Sequence, residues 1–224
     1  MRLYYMTSLE TAVTHILPER RMRIAQFQGL NDPFELMSVR LDGQEGRKIF
    51  KALLDHWNKT LGVICMAKDW KSPLMWTHYA KNHTGVCLGF EVPDDKPIQM
   101  KYEAERIKLI LDLQKPIGGI DRELLLKVLT TKFTQWAYEQ EWRLLSKLEE
   151  RDPDNGFFYI PFGPALSLRE IIVGTRCKKP IGSFKKLLTH IEEPVTIIKA
   201  RAAFESFSMV KQKRIPTITV RPKR

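Results

Sequence analysis

The sequence predicts an α+β domain in which mixed sheets are flanked by helices, and three observations carry this. Strand-like and helix-like stretches follow one another without the regular strand–helix–strand alternation of a doubly wound parallel sheet. Neither GxGxxG nor GxxxxGK[ST] nor GxSxG occurs, so the dinucleotide fold, the P-loop and the nucleophile elbow are unsupported. The 224 residues, 43% of them hydrophobic, suit a single core. We read residues 1–195 as one catalytic-type domain and 196–224 as a basic extension packed on it or trailing from it.

Taken in order, Leu3–Met6 reads as a short opening strand, and Thr7 or Ser8 caps a helix through Leu9–Leu17. Asn31-Asp32-Pro33-Phe34-Glu35 has the form of a helix start, with Asp32 as cap and Glu35 three residues on. Gly46–Asn58 places Ile49, Leu53, Leu54 and Trp57 on one side of a helix, and Gly62–Ala67 is a buried strand. Ser72-Pro73 opens a helix that runs to a Gly cap near Gly85. Val86–Val92 alternates as a strand with one face inward. Tyr102–Leu113 and Asp121–Phe133 look helical, and Tyr138–Leu145 looks like a strand. Further strands are expected at Phe157–Pro161, Glu170–Val173, Val195–Phe204 and, as an edge, Ile215–Val220, with a short helix at Ser183–Ile191.

Charge is unevenly spread. The chain carries +11 formally, and the stretch from Thr196 to Arg224 supplies +7 of it, with eight basic residues against Glu205 alone. Such a segment attracts polyanions by counterion release, so Lys211, Lys213, Arg214, Arg221, Lys223 and Arg224 are candidate nucleic-acid contacts. A solvated terminus explains the same charges. No stretch reaches the roughly 18 apolar residues of a membrane helix, and the opening MRLYYMTSLETAV holds no cleavage signal, so a cytoplasmic protein without membrane association is expected. Cys65, Cys87 and Cys177 are odd in number and far apart, which argues against disulfides and CxxC metal sites. Cys65 and Cys87 read as small buried hydrophobes. His78 and His83 are five apart, not the four a helical zinc pair prefers, so no metal site is predicted.

Two segments concentrate chemistry. On a helix, Trp76, Tyr79, Ala80 and His83 share one face of MWTHYAKNHTGVCLGFE, with Met75, His78, Tyr79 and Asn82 beside it. These rings could wall a planar ligand, or simply anchor a core. In WAYEQEWR, an extended chain points Glu139, Glu141 and Arg143 one way, the carboxylates about 7 Å apart by strand rise. A structural Glu–Arg pair and a carboxylate cleft that binds a sugar hydroxyl, or stabilises positive charge at an anomeric carbon, both fit.

NDPFE at Asn31–Glu35, MWTHYAKNHTGVCLGFE at Met75–Glu91, KFTQWAYEQEWR at Lys132–Arg143 and EIIVGTRC at Glu170–Cys177 together resemble a bacterial family catalogued as domain of unknown function 2971, over roughly the first 180–190 residues. The family brings with it a more distant likeness to the ADP-ribosyltransferase fold of bacterial toxins and phage-defence effectors. That likeness implies a cleft between two small sheets holding NAD, and Glu141, with Glu139, as the catalytic carboxylate. It implies Tyr4 or Tyr5, with Arg2, as first-strand contacts, and Trp76, His78 and Tyr79 as the wall around nicotinamide. It also implies an antitoxin or defence-system partner and a nucleic-acid or protein target. Where many such enzymes carry a Ser-Thr-Ser-like strand, this chain has Ile64-Cys65-Met66-Ala67. The alternative from the residues themselves is a module without catalysis that binds nucleic acid or protein.

Overall fold

The computed structural model describes residues 1–41, 43–109 and 120–222. In chain order its strands are β1 (Arg2–Thr7), β2 (Arg21–Ile24), β3 (Val39–Leu41), β4 (Leu61–Ala67), β5 (Val86–Glu91), β6 (Ile98–Gln99), β7 (Lys101–Glu103), β8 (Ile107–Leu109), β9 (Thr131–Phe133), β10 (Glu141–Lys147), β11 (Phe158–Pro161), β12 (Ser167–Val173), β13 (Val195–Ala202), β14 (Met209–Lys211) and β15 (Ile218–Val220). The helices are a run over residues 9–19 (α1), Gln44–Thr60 (α2), Pro73–Tyr79 (α3) and Arg122–Leu129 (α4), with short 3-10 turns besides. Nine of the strands form one mixed open sheet in the order β14-β13-β12-β5-β1-β4-β10-β6, with β15 also on β13. The α+β expectation holds.

The sheet is continuous on either side of one weak seam. β1 pairs with β5 from Arg2↔Glu91 to Thr7↔Val86, and β4 with β10 from Leu61↔Lys147 to Ala67↔Glu141. Between these halves, β1 and β4 meet at one register pair, Tyr4↔Ala67. Past it the two strands part, and the upper edge of β4 is taken instead by Ala25, which bridges Val63.

The core follows from the central strands. β5 is buried at every position except Glu91, so Val86, Cys87, Leu88 and Phe90 pack on both faces. The expected one-sided alternation does not apply, because a middle strand covered above and below reads as a continuous apolar run. One face meets α1 and the β2–β11 ribbon through Leu3, Ile16, Met22 and Phe158. The other meets α3 through Met6, Met75 and Trp76. Glycine permits the close approach at the end of β5. A Cβ at Gly85 would sit 2.2 Å from the Thr7 carbonyl oxygen, and one at Gly174 would sit 2.3 Å from that of His83.

The expected Ser8 cap holds, while several other elements depart from expectation. Ser8 caps α1 through its Oγ, accepting from the Thr11 amide. Asn31–Glu35 is a turn and not a helix start: Asp32 does accept from the Phe34 amide, but Leu36 then takes φ +60, which ends the helical path. α3 stops at Tyr79 because Lys81, Asn82 and His83 all have positive φ, so His83 leaves the helix face and stacks on Trp76 instead. Lys101–Glu103 and Ile107–Leu109 are strands, where a helix through Leu113 was expected; pairing with β9 and β3 overrides the local preference. The remainder of that stretch lies outside the described residues. Asp121 caps α4, which ends at Leu129, so that Thr131–Phe133 forms β9. The strand expected from Tyr138 begins at Glu141, after a 3-10 turn Thr134–Glu139. The start of the basic extension is part of the sheet, since β13 runs parallel to β12.

Candidate functional site

Where β1 and β4 part, a hollow of about 270 Å³ opens, lined by Tyr4, Tyr5 and Met6 from one strand and by the Val63–Ala67 stretch of the other. Its floor is charged. Glu141 opens β10, and Glu139 ends the 3-10 turn just before it, with Gln140 between them in a left-handed conformation (φ +45). That kink, and not an extended strand, brings both carboxylates to one cation. Lys132 of β9 donates from Nζ to Glu139 Oε2 at 2.6 Å and to Glu141 Oε2 at 3.1 Å.

The network extends in both directions. Arg143 is fully buried; its Nε reaches Glu141 Oε1 at 2.7 Å, and its two terminal nitrogens grip Glu35 bidentately at 2.6 and 3.0 Å. Tyr79 donates its hydroxyl hydrogen to Glu139, and Asn31 donates to the Tyr79 oxygen at 2.9 Å. A continuous polar chain therefore runs Asn31–Tyr79–Glu139–Lys132–Glu141–Arg143–Glu35. Both of its ends belong to the Asn31–Glu35 turn. Three carboxylates face two cations here, a formal −1.

Electrostatics fix the protonation of the parts. Burial pushes the Glu141 carboxyl up, but Arg143 and Lys132 more than offset this and hold it below the usual carboxylate range. Burial would lower the Lys132 ammonium; Glu141 and Glu139 reverse that and raise it. Burial and then Glu139 push the Tyr79 phenol up, so it stays a donor. Cys65 lines the hollow, and burial together with Glu141 pushes its thiol well up. It presents a thiol and not a thiolate nucleophile. Glu139 and Glu141 are already neutralised by Lys132 and Arg143, so they do not form a free carboxylate pair for a divalent ion.

The expected residues divide. Glu139, Glu141, Tyr4, Tyr5 and Tyr79 line the hollow. Burial, followed by Glu170, pushes the Tyr4 phenol up. Arg2 instead pairs with Glu170 at 3.1 Å. Trp76 and His78 are not on the wall. Trp76 faces the core with 0% exposure and donates Nε1 to the Trp70 carbonyl at 2.7 Å. His78 is exposed beside Tyr138, ring centroids 5.9 Å apart. On a short helix, Met75 and Tyr79, four apart, share the hollow-facing side. Lys211, Lys213, Arg214 and Arg221 are exposed, far along the chain from this site, and Lys223 and Arg224 lie outside the described residues.

Four residues of the site escaped the sequence reading. Glu35 looked like a cap residue, Asn31 part of the same cap, Lys132 a helix residue and Cys65 a core hydrophobe. The signal for Lys132 was charge arithmetic: Glu139, Glu141 and Arg143 leave an acid unpaired on a buried face, which demands another cation.

Residues 75–144 match the family described as "Protein of unknown function (DUF2971)". The matched segment runs from α3 to β10 and so contains Tyr79, Lys132, Glu139, Glu141 and Arg143. No curated protein and no solved structure matches the chain.

Proposed function

We propose that the hollow takes the nicotinamide riboside end of NAD as substrate, and that the chain is an ADP-ribosyltransferase or NAD glycohydrolase. The observation that carries this reading is the position of Glu141: an ionised carboxylate at the start of a strand, on the floor of a gap between two half-sheets, in the hollow that Tyr4 and Tyr79 also line. The volume favours one ring and a sugar over a whole dinucleotide. The apolar wall of Met6, Met75 and Ala67 suits the ring.

The chemistry follows from charge. When the C1′–nitrogen bond of the substrate breaks, the bonding pair leaves with nicotinamide and neutralises its ring nitrogen. Positive charge then develops at C1′. Glu141 is positioned to oppose it, and to accept from a ribose hydroxyl in place of the Cys65 thiol, since Lys132 and two nitrogens of Arg143 take its other sites. Water or an acceptor nucleophile completes C1′ and releases a proton. Lys132, Arg143 and Glu35 act as positioning residues that hold Glu141 in one rotamer.

Incubation with NAD and chromatographic measurement of nicotinamide tests the reading. Glu141→Gln is expected to lower release by about 100-fold, the scale of one lost transition-state contact. Tyr79→Phe, which keeps the ring and leaves the cations paired, is a second variant that retains the fold and lowers release less. Equally slow release by the wild type and a folded Glu141→Gln protein would sink it.

A second reading has its own observation. Lys211, Lys213, Arg214 and Arg221 are exposed and have no carboxylate partner among the described residues, which supports polyanion binding by the C-terminal segment. Changing these four to Ser leaves β15 intact. It is expected to flatten the salt dependence of RNA or DNA binding, by about 0.9 in log–log slope per lost phosphate contact. An unchanged slope overturns it.

A further inference from the structure

Behind the wall formed by Glu35 and Lys132 lies a second hollow of about 280 Å³, so these two residues line both. Among the described residues, seven large hydrophobic side chains are exposed, and three of them, Phe34 (55%), Met37 (42%) and Phe133 (47%), border this one hollow. A chain with an ordinary core has no stability reason to gather apolar side chains at a rim. Glu103 and Glu105 are exposed on the same rim, with no cation paired to either among the described residues. The guanidinium of Arg106 already lies over the Phe34 ring at 5.2 Å, an internal instance of the contact this surface favours.

We propose that this hollow is a docking site for a basic peptide segment of a protein acceptor, its arginine side chains laid over Phe34 and Phe133 and its charge met by Glu103 and Glu105. The occupant is not the other end of the dinucleotide, because unpaired carboxylates repel a pyrophosphate. It is not a nucleic acid, for the same reason. That the peptide belongs to an acceptor rests on the proposed transferase activity; its binding does not. Placement fits the role: the peptide lies one wall away from Glu141, and Lys132 and Glu35 connect the two hollows.

The test is fluorescence anisotropy of labelled hexa-arginine at low salt. The protein as a whole carries +11 and repels this probe, so binding reports a local acidic surface. Saturable binding is expected. Phe133→Ser, and separately Glu103→Lys with Glu105→Lys, are each expected to weaken it about tenfold. Phe204→Ser, at a still more exposed ring on the β13–β14 tip, is expected to leave it unchanged. No binding, or binding unaffected by all of these variants, overturns the proposal, as does displacement of the peptide by AMP, which would mark a nucleotide subsite. Peptide binding without nicotinamide release keeps this site and removes the transferase reading. Release without peptide binding does the reverse.

Discussion

The split hollow and the C-terminal basic segment both concentrate charge, but they treat it in opposite ways. In the hollow, Glu35, Glu141, Arg143, Lys132 and Glu139 are buried, and each meets a defined partner. In the C-terminal segment, Lys211, Lys213, Arg214 and Arg221 stand in solvent. Desolvated charges are costly unless geometry satisfies them, so the first set specifies structure; solvated charges specify only an attraction that salt screens.

The largest expected effect breaks the first set. Arg143→Met leaves Glu35 and Glu141 buried without their guanidinium, and removing one partner of a buried pair costs about 3–5 kcal/mol. At roughly 2–4 °C per kcal/mol for a chain of this size, the melting temperature should fall by about 10 °C. A fall of only a degree or two would mean that water reaches the network freely.

The two rings of α3 sharpen the same contrast. Trp76→Ala empties a fully buried site and should cost about 3–5 kcal/mol. Tyr79→Phe removes one hydrogen bond to a carboxylate, about 1.5–3 kcal/mol at most, and should show mainly in ligand binding at the hollow. Thermal melts of both, beside a nicotinamide-release assay, check it. Equal stability losses would place Tyr79 in the core as well.

What could be read in advance follows from these forces. The opening strand, α2, β4 and the late strands announced themselves by periodicity, because one dominant force, burial, sets them. The pairing of Glu139 with Glu141 was visible as a spacing, yet its geometry was not. An extended chain predicts a shared strand face, whereas Gln140 at φ +45 and a 3-10 turn produce the convergence. Glu35 was legible only as a cap residue, since its partner Arg143 lies more than a hundred positions away and no local rule reaches that far. Trp76 and His78 do lie on the expected helix, but it turns Met75 and Tyr79 to the hollow, which leaves Trp76 in the core and His78 in solvent; only His83 was misplaced by expecting the helix to run to Gly85. Three consecutive positive φ angles after Ala80 ended it early.

Acid should separate the hollow from the segment as well. The folded-state Glu141 carboxyl is held below its ordinary value, near 4.3 when unfolded. Its contribution to stability is therefore fully present above that value, and it is lost as pH falls through the folded one. Melting temperatures of the wild type should decline below about pH 5, and those of a folded Glu141→Gln protein should decline less. The stretch from Thr196 onward holds one acid, the exposed Glu205, and so brings no buried carboxylate to the slope.

The smallest expected effect lies in that segment. Lys213 and Arg214 follow β14 in an exposed turn, and substitutions at such positions usually stay within about 0.5 kcal/mol. The double change to Ser should leave the melting temperature within about 2 °C of wild type. Because each removes a cation from a chain with an excess of eleven, self-repulsion falls, and the residual shift should be upward at low ionic strength and vanish by about 0.5 M salt. A large drop instead would mean that one of the two holds a buried partner, and would erase the distinction between the charges that build this fold and those that merely decorate it.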